Sequence, residues 1–452
     1  MKPGNTSEAP NHASVGAIHE SPLHECITRL RNPTGFRYDL QSSESYISDM
    51  RNIVSFVLKM TVSAMFLLSV SFAYQIPSTM IDSLLNDARR HLAPDRRTVV
   101  FDVHGNLQGN TLRLTGELHN AELKSTLLHY LGDRTQYSIV DSLIVLPQAS
   151  LGNRVFAVVS LSVANIRTKP DHEAEMATQA ILGTPLKVLK KASGWYYVQT
   201  PDDYLGWTDD LITFMTMDEY SRWAKAPKVI VTTVYGFTYT SKKQSSQVVS
   251  DVVIGSLLRL KKDSGTWYEV AYPDGRTGFL AKAHGQLFKV WLNRVRETDA
   301  NIVSSAKRFF GIPYLWGGTS AKGFDCSGFT KTVFFLNGVL LPRDANQQAA
   351  VGEPVAATGG LKNLKTGDLL FFGSKAAPGK PERLTHVAIY LGNKRFIHCS
   401  GDVRMNSLNP ADPDYSEFRD QSFVRATRII GAGAQTGVRR LSELPSYRSN
   451  EP

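Results

Sequence analysis

One cysteine and two histidines, on separate segments of this 452-residue chain, supply a nucleophile, a base and an orienting partner. Cys326 sits in Pro313-Tyr-Leu-Trp-Gly-Gly-Thr-Ser-Ala-Lys-Gly-Phe-Asp-Cys-Ser-Gly-Phe-Thr330, His386 in Leu-Thr-His-Val-Ala-Ile-Tyr-Leu-Gly, and His398 in Phe-Ile-His-Cys-Ser-Gly. A thiol attacks an amide as its thiolate, which an imidazole partner helps to form; a further polar group fixes that imidazole's tautomer. Cys326 is therefore the expected nucleophile and His386, at the start of the apolar run Val387–Leu391, the expected base. His398 lies 398 − 386 = 12 residues on, within reach through a hairpin at Gly392-Asn393, and is the expected orienter. Glycines 317, 318, 323 and 328 let the backbone approach a bound peptide. Tyr314 can donate to the developing oxyanion with the Cys326 amide as second donor, while Trp316 reads equally as core or as a cleft wall.

Each residue alone has a plainer reading. A lone cysteine is usually a small buried hydrophobe, a lone histidine a surface group, and a lone tyrosine packing. Cys399 fits the first description, because strand alternation turns it away from His398. Zinc is not expected, since no two of Cys326, His386 and His398 share a CxxC or HxxxH spacing, and no cofactor is expected either. The set as a whole points to a cysteine peptidase.

Positioning these groups needs a helix carrying the cysteine and strands carrying the histidines, an α+β layout. Ser327–Asn337 reads as a helix, which would set Cys326 at an N-terminus whose amide dipoles favour a thiolate. Glu297–Gly311 reads as the preceding helix, and Asp368–Phe372, Val387–Leu391 and Arg395–Cys399 as strands.

Upstream, Gly194-Trp-Tyr-Tyr-Val-Gln-Thr-Pro-Asp-Asp-Tyr-Leu-Gly-Trp207 recurs as Thr266-Trp-Tyr-Glu-Val-Ala-Tyr-Pro-Asp-Gly-Arg-Thr-Gly-Phe279, at an offset of 267 − 195 = 72. Two small all-β barrels are expected, over 151–225 and 226–290, with the peptidase domain at 291–433 and a loose tail at 434–452. Residues 74–150 read as an α-β-β-α-β module for docking or spacing, with helix Pro77–Leu92, strands Arg97–His104 and Thr111–Glu117, helix Asn120–Leu131 and strand Tyr137–Leu146. Residues 1–73 form a leader. Within it a start at Met50, the apolar run Met60–Phe72 and the Ser71-Phe72-Ala73 site have the anatomy of a cleaved signal peptide, with a retained membrane anchor as the rival reading. Export, to a periplasm, is expected. Three cysteines give no disulfide framework. The net charge of +10 is scattered, which fits solubility or attraction to an anionic cell envelope rather than nucleic-acid binding.

Tyr314-x-Trp-Gly-Gly, Asp325-Cys-Ser-Gly, Thr385-His-Val and His398 together resemble the NlpC family of bacterial cell-wall cysteine peptidases, with its papain-like catalytic domain. The paired upstream repeats resemble bacterial SH3-like domains, and the 74–150 module resembles BON-type modules. The resemblance implies Cys326 as nucleophile, His386 as base, His398 as orienter and Tyr314 as oxyanion aid. It also implies hydrolysis of the γ-D-glutamyl–diamino acid bond in peptidoglycan-derived peptides that have a free N-terminal L-Ala. That amine would be held by Asp325 and Ser327, by Asp344 in Pro342-Arg-Asp, by Tyr204, and by Glu175 with Glu173 as its rival. Ala345 departs from the pattern, which often carries serine there. A wall-binding protein with little catalysis, and a papain-like amidase or acyltransferase, are the rival functions.

Overall fold

The structure, a computed structural model, describes residues 54, 60, 79–209, 211–356 and 361–447. Apart from Val54 and Met60, the expected signal segment and the Met50 start lie outside them. All that follows concerns the compact unit Ile76–Pro452.

The strands of the two repeats start at equivalent positions. Phe156–Val159, Val163–Arg167, Met176–Ile181, Pro185–Ala192, Trp195–Gln199 and Leu205–Thr208 are matched by strands starting at Lys228, Tyr235, Val248, Leu257, Trp267 and Thr277. Each start is displaced by the same 72 positions as the tryptophans, for example 228 − 156 = 72. Both repeats form seven-stranded sheets of equivalent strand order. Alternation along the strands turns Val159, Ile166, Val188 and Val198 inward in the first and Val229, Val252, Leu258 and Val270 inward in the second, each 0% exposed. Thus each repeat closes its own small core.

The following domain is α+β. Six antiparallel strands run in the order Glu353–Val355, Phe423–Arg428, Leu369–Ser374, Arg383–Gly392, Arg395–Ser400, Asp402–Ser407. Helices Asp299–Lys307 and Cys326–Phe335 cover one face, burying Phe309, Phe329, Val333 and Phe334 against Phe371, Val387, Ile389 and Ile397. The stretch after Gly433, expected to be loose, is packed as far as Tyr447. Arg439–Arg440 pairs with Val339–Leu340, and Leu441 and Tyr447 are buried beside Trp291. Three buried apolar side chains, Val438, Leu441 and Tyr447, anchor it.

Upstream, a helix over 79–92 is followed by Phe101–Gln108, Thr111–Leu118, helix Ala121–Gly132 and Ser138–Val145, an α-β-β-α-β order. The module is docked on its neighbour. Val100 and Leu146 share a cluster with Leu189 and Leu205 of the first SH3-like domain, Lys190 pairs with Glu117, and the Leu205 amide donates to the Arg97 carbonyl at 2.8 Å.

Candidate active site

Cys326 is the first residue of its helix because Asp325 caps it: one Asp325 oxygen accepts the Gly328 amide at 2.7 Å. Gly328 must be glycine, since a Cβ there would lie 2.0 Å from the Gly318 carbonyl oxygen. The cap is itself clamped. Arg343, only 1% exposed, donates to both Asp325 oxygens (Nη1 at 3.1 Å and Nη2 at 2.5 Å), to Ser327 Oγ at 3.0 Å and, through Nε, to Thr178 Oγ1 of the first SH3-like domain at 3.0 Å. A guanidinium has the fork geometry for such a bidentate grip.

The strand Arg383–Gly392 passes the sulfur at the amide of Val387, next to His386. His386 and His398 sit on one sheet face as diagonal neighbours: Ile389 pairs with Ile397, which sets Ala388, not His386, opposite His398. The rings meet edge to face, with His386 Nε2 2.7 Å from His398 Nδ1. A residue outside the expected set completes the chain. His398 Nε2 lies 3.0 Å from Asn406 Oδ1, and Asn406 Nδ2 donates to the Asp414 carbonyl at 3.0 Å.

That carbonyl fixes every tautomer in the row. It only accepts, so the Asn406 amide presents its oxygen to His398. His398 must then carry its proton on Nε2 and accept at Nδ1 from His386 Nε2–H. The bare nitrogen of His386 is Nδ1, the atom free to take a thiol proton. The signal for Asn406 was present in the sequence as a polar residue two positions beyond Arg404, the register partner of His398, and hence on the same face.

The electrostatics correct one expectation. Burial, and then Asp325, push the Cys326 thiol up to about 11, despite the opposing amides of Val387 and Ser327 and the Arg343 charge. The helix N-terminus does not by itself yield a resting thiolate. Burial, the half-buried Arg419 guanidinium and His398 hold His386 well below its ordinary range, and burial takes His398 down to about 4. At neutral pH the resting thiol and both imidazoles are therefore uncharged. Burial first, and then Cys326 wherever its thiol ionises, push the Tyr314 phenol up, so it stays an O–H donor.

The remaining expected residues divide by place. Asp325 and Ser327 are held within the Arg343 clamp. Tyr204 donates to Asp344 Oδ2 at 2.9 Å across the boundary between the first SH3-like domain and the catalytic domain. Trp316 is 62% exposed, so it is not core; its indole N–H donates to Glu175 at 2.6 Å. Gly317, next to it, has φ +79°, and a Cβ would lie 2.2 Å from the Met176 carbonyl oxygen, so only glycine lets this segment meet the first SH3-like domain. Glu173 is exposed. Ala345 is buried and starts the short helix Ala345–Gln348.

Residues 311–422 match the NlpC/P60 family, and residues 166–210 match the bacterial dipeptidyl-peptidase SH3 domain. Dipeptidyl-peptidase 6 of Lysinibacillus sphaericus is 31% identical, over 58% of this chain and 94% of that protein. The γ-D-glutamyl-L-lysine dipeptidyl-peptidase of Bacillus cereus is 30% identical, over 54% of this chain and 73% of its own length. A crystal structure of an NlpC/P60 family protein from Bacillus cereus superposes with a TM-score of 0.52 at 26% identity, covering 60% of this chain and 99% of that one. The chain belongs to the NlpC/P60 family of cysteine peptidases.

Proposed function

We propose that this peptidase hydrolyses the γ-D-glutamyl–diamino acid bond of peptidoglycan stem peptides, selects peptides with a free N-terminal L-Ala, and acts after export to a periplasm. The observation that carries the chemistry is the tautomer chain ending at His386 Nδ1. The Cys326 thiol gives its proton to that nitrogen as sulfur attacks the γ-carbonyl carbon. The new oxyanion is met by the Tyr314 hydroxyl and the Cys326 amide; one such donor lowers a barrier by roughly 3–4 kcal/mol. The C–N bond then breaks as His386 returns the proton to the leaving amine. Water, deprotonated by His386, attacks the thioester and releases L-Ala-γ-D-Glu with the thiol restored.

The names of the similar dipeptidyl-peptidases support the bond, and the Tyr204–Asp344 pair supports the end of the peptide that is read. A phenol and a carboxylate are suited to an ammonium group, with Glu175 further along the same rim. Digestion of L-Ala-γ-D-Glu-L-Lys followed by mass spectrometry tests the reading. The dipeptide and free lysine should appear, Cys326→Ala should release neither, and N-acetylation of the substrate should abolish cleavage. An intact tripeptide after prolonged incubation with the native enzyme overturns the assignment.

A further inference from the structure

The seat formed by Asp344 and Tyr204 already holds a cation, and it comes from the chain itself. Arg97, in the segment between the first helix of the N-terminal module and its first strand, donates from Nη1 to Asp344 Oδ2 at 2.6 Å and to Asn346 Oδ1 at 2.9 Å. This is no casual surface contact. Asp95 holds the other side of the guanidinium, accepting from Nε at 2.8 Å and from Nη2 at 2.7 Å, and is itself bound by Gln347 Nε2 at 2.7 Å. The Arg97 carbonyl is tied to the Leu205 amide, one residue from Tyr204. The backbone is thus anchored beside Tyr204 while the side chain is aimed at Asp344.

The seat opens toward the chemistry. Asp344 follows Arg343, the clamp on the cap of the nucleophile helix, and lies 3.9 Å from its guanidinium. Gln348, in the short helix that Asp344 begins, donates to the carbonyl of Ser327, the residue after the nucleophile. The Arg97–Asp344 pair keeps 35% and 27% side-chain exposure, so solvent and a ligand can reach it. Asp344 Oδ2 already accepts from both Tyr204 and Arg97, and a second cation there would face the first at close range. The module supplying Arg97 lies ahead of both family matches, which begin at residues 166 and 311.

We propose that Arg97 is a specificity-determining residue: it occupies the cation seat of Asp344 and Tyr204, so that a substrate ammonium group must displace it to bind. The N-terminal module then sets the threshold for amine recognition from outside the catalytic domain. This rests on the amine-reading role proposed above, and the test separates the two. In a Cys326→Ala background, L-Ala-γ-D-Glu and its N-acetyl form are titrated calorimetrically against protein with and without Arg97→Gln, at about pH 7, where the free amine is largely protonated. Removing the guanidinium should tighten the free-amine peptide by about tenfold or more and leave the acetylated peptide unchanged. Unchanged or weakened binding in Arg97→Gln, as for a residue that merely holds Asp344 in place, overturns the proposal, as does equal tightening of both peptides or no binding by either protein. Turnover of the tripeptide is measured in parallel with Cys326 intact. Tightened binding without any cleavage would sink the hydrolytic reading and leave the competing guanidinium standing.

Discussion

The proton path from Cys326 depends on an asparagine that does no chemistry itself. Asn406 can present its oxygen to His398 only because its amide nitrogen is used by the Asp414 carbonyl. Asn406→Ala frees His398 to carry its proton on either nitrogen, and one of those forms leaves His386 Nδ1 protonated and useless as a base. We expect kcat to fall on the order of 10²-fold with KM little changed, read from steady-state kinetics; an unchanged kcat would rule out the relay. The pH profile follows from the same burial. His386 is held well below 6.5, so the acid limb of kcat/KM should lie below the usual imidazole range. Arg419→Ala removes a charge that disfavours the imidazolium, and the limb should move to higher pH. Stability responds with the same sign. An unfolded His398 takes its proton near 6.5 and the folded one only near about 4, so the folded state binds fewer protons in between. The contribution is complete above 6.5 and is lost as pH falls toward 4, by about 3 kcal/mol in a urea-denaturation series.

At the scale of elements, the nucleophile helix is only as well placed as its cap. Asp325 is 7% exposed, and its charge is matched by an Arg343 that is almost fully buried. Arg343→Met should cost about 3–5 kcal/mol in chemical denaturation, because it leaves a buried carboxylate without its partner. Arg343→Lys should recover little, since an ammonium cannot span both oxygens. Sequence patterning reached the strands and helices here to within a few residues: the expected Ser327–Asn337 helix is Cys326–Phe335, and the expected Thr111–Glu117 strand is Thr111–Leu118. It reached the Cys326, His386 and His398 segments through motif and alternation. It did not reach Arg343, which pairs with Asp325 across 18 positions and sits in a Pro-Arg-Asp phrase whose aspartate drew the attention. It also began the strand at Arg97 when it begins at Phe101. The Asp95–Arg97 turn leaves the sheet to meet another domain, a tertiary demand that local propensity does not encode.

Across the whole molecule, the cleft exists only while the first SH3-like domain stays against the catalytic domain. Polar contacts line that boundary: Gln179 accepts from the Thr319 amide and the Ser320 hydroxyl, Thr178 accepts from Arg343, and Trp316 donates to Glu175. One of them is a buried ion pair. Lys331, on the nucleophile helix, donates to Asp202 at 2.6 Å, with side-chain exposures of 12% and 3%. Asp202 lies in the Pro-Asp turn of the first repeat, so this pair ties the Cys326 helix directly to the domain that carries Tyr204. Burial pulls the Lys331 pKa down and Asp202 opposes it, which makes the two charges mutually dependent. Lys331→Met should therefore destabilise the protein by about 3–5 kcal/mol and weaken substrate binding with the cleft wall loosened. The Lys331→Met, Asp202→Leu double variant should regain most of that stability, because the penalty comes from the abandoned carboxylate more than from the lost attraction. Raising the salt concentration should change neither difference much, since a pair this shielded is poorly screened. If the double variant is instead as unstable as the single one, the pair contributes net attraction at the boundary, and the two domains are held together by charge rather than by the packing around it.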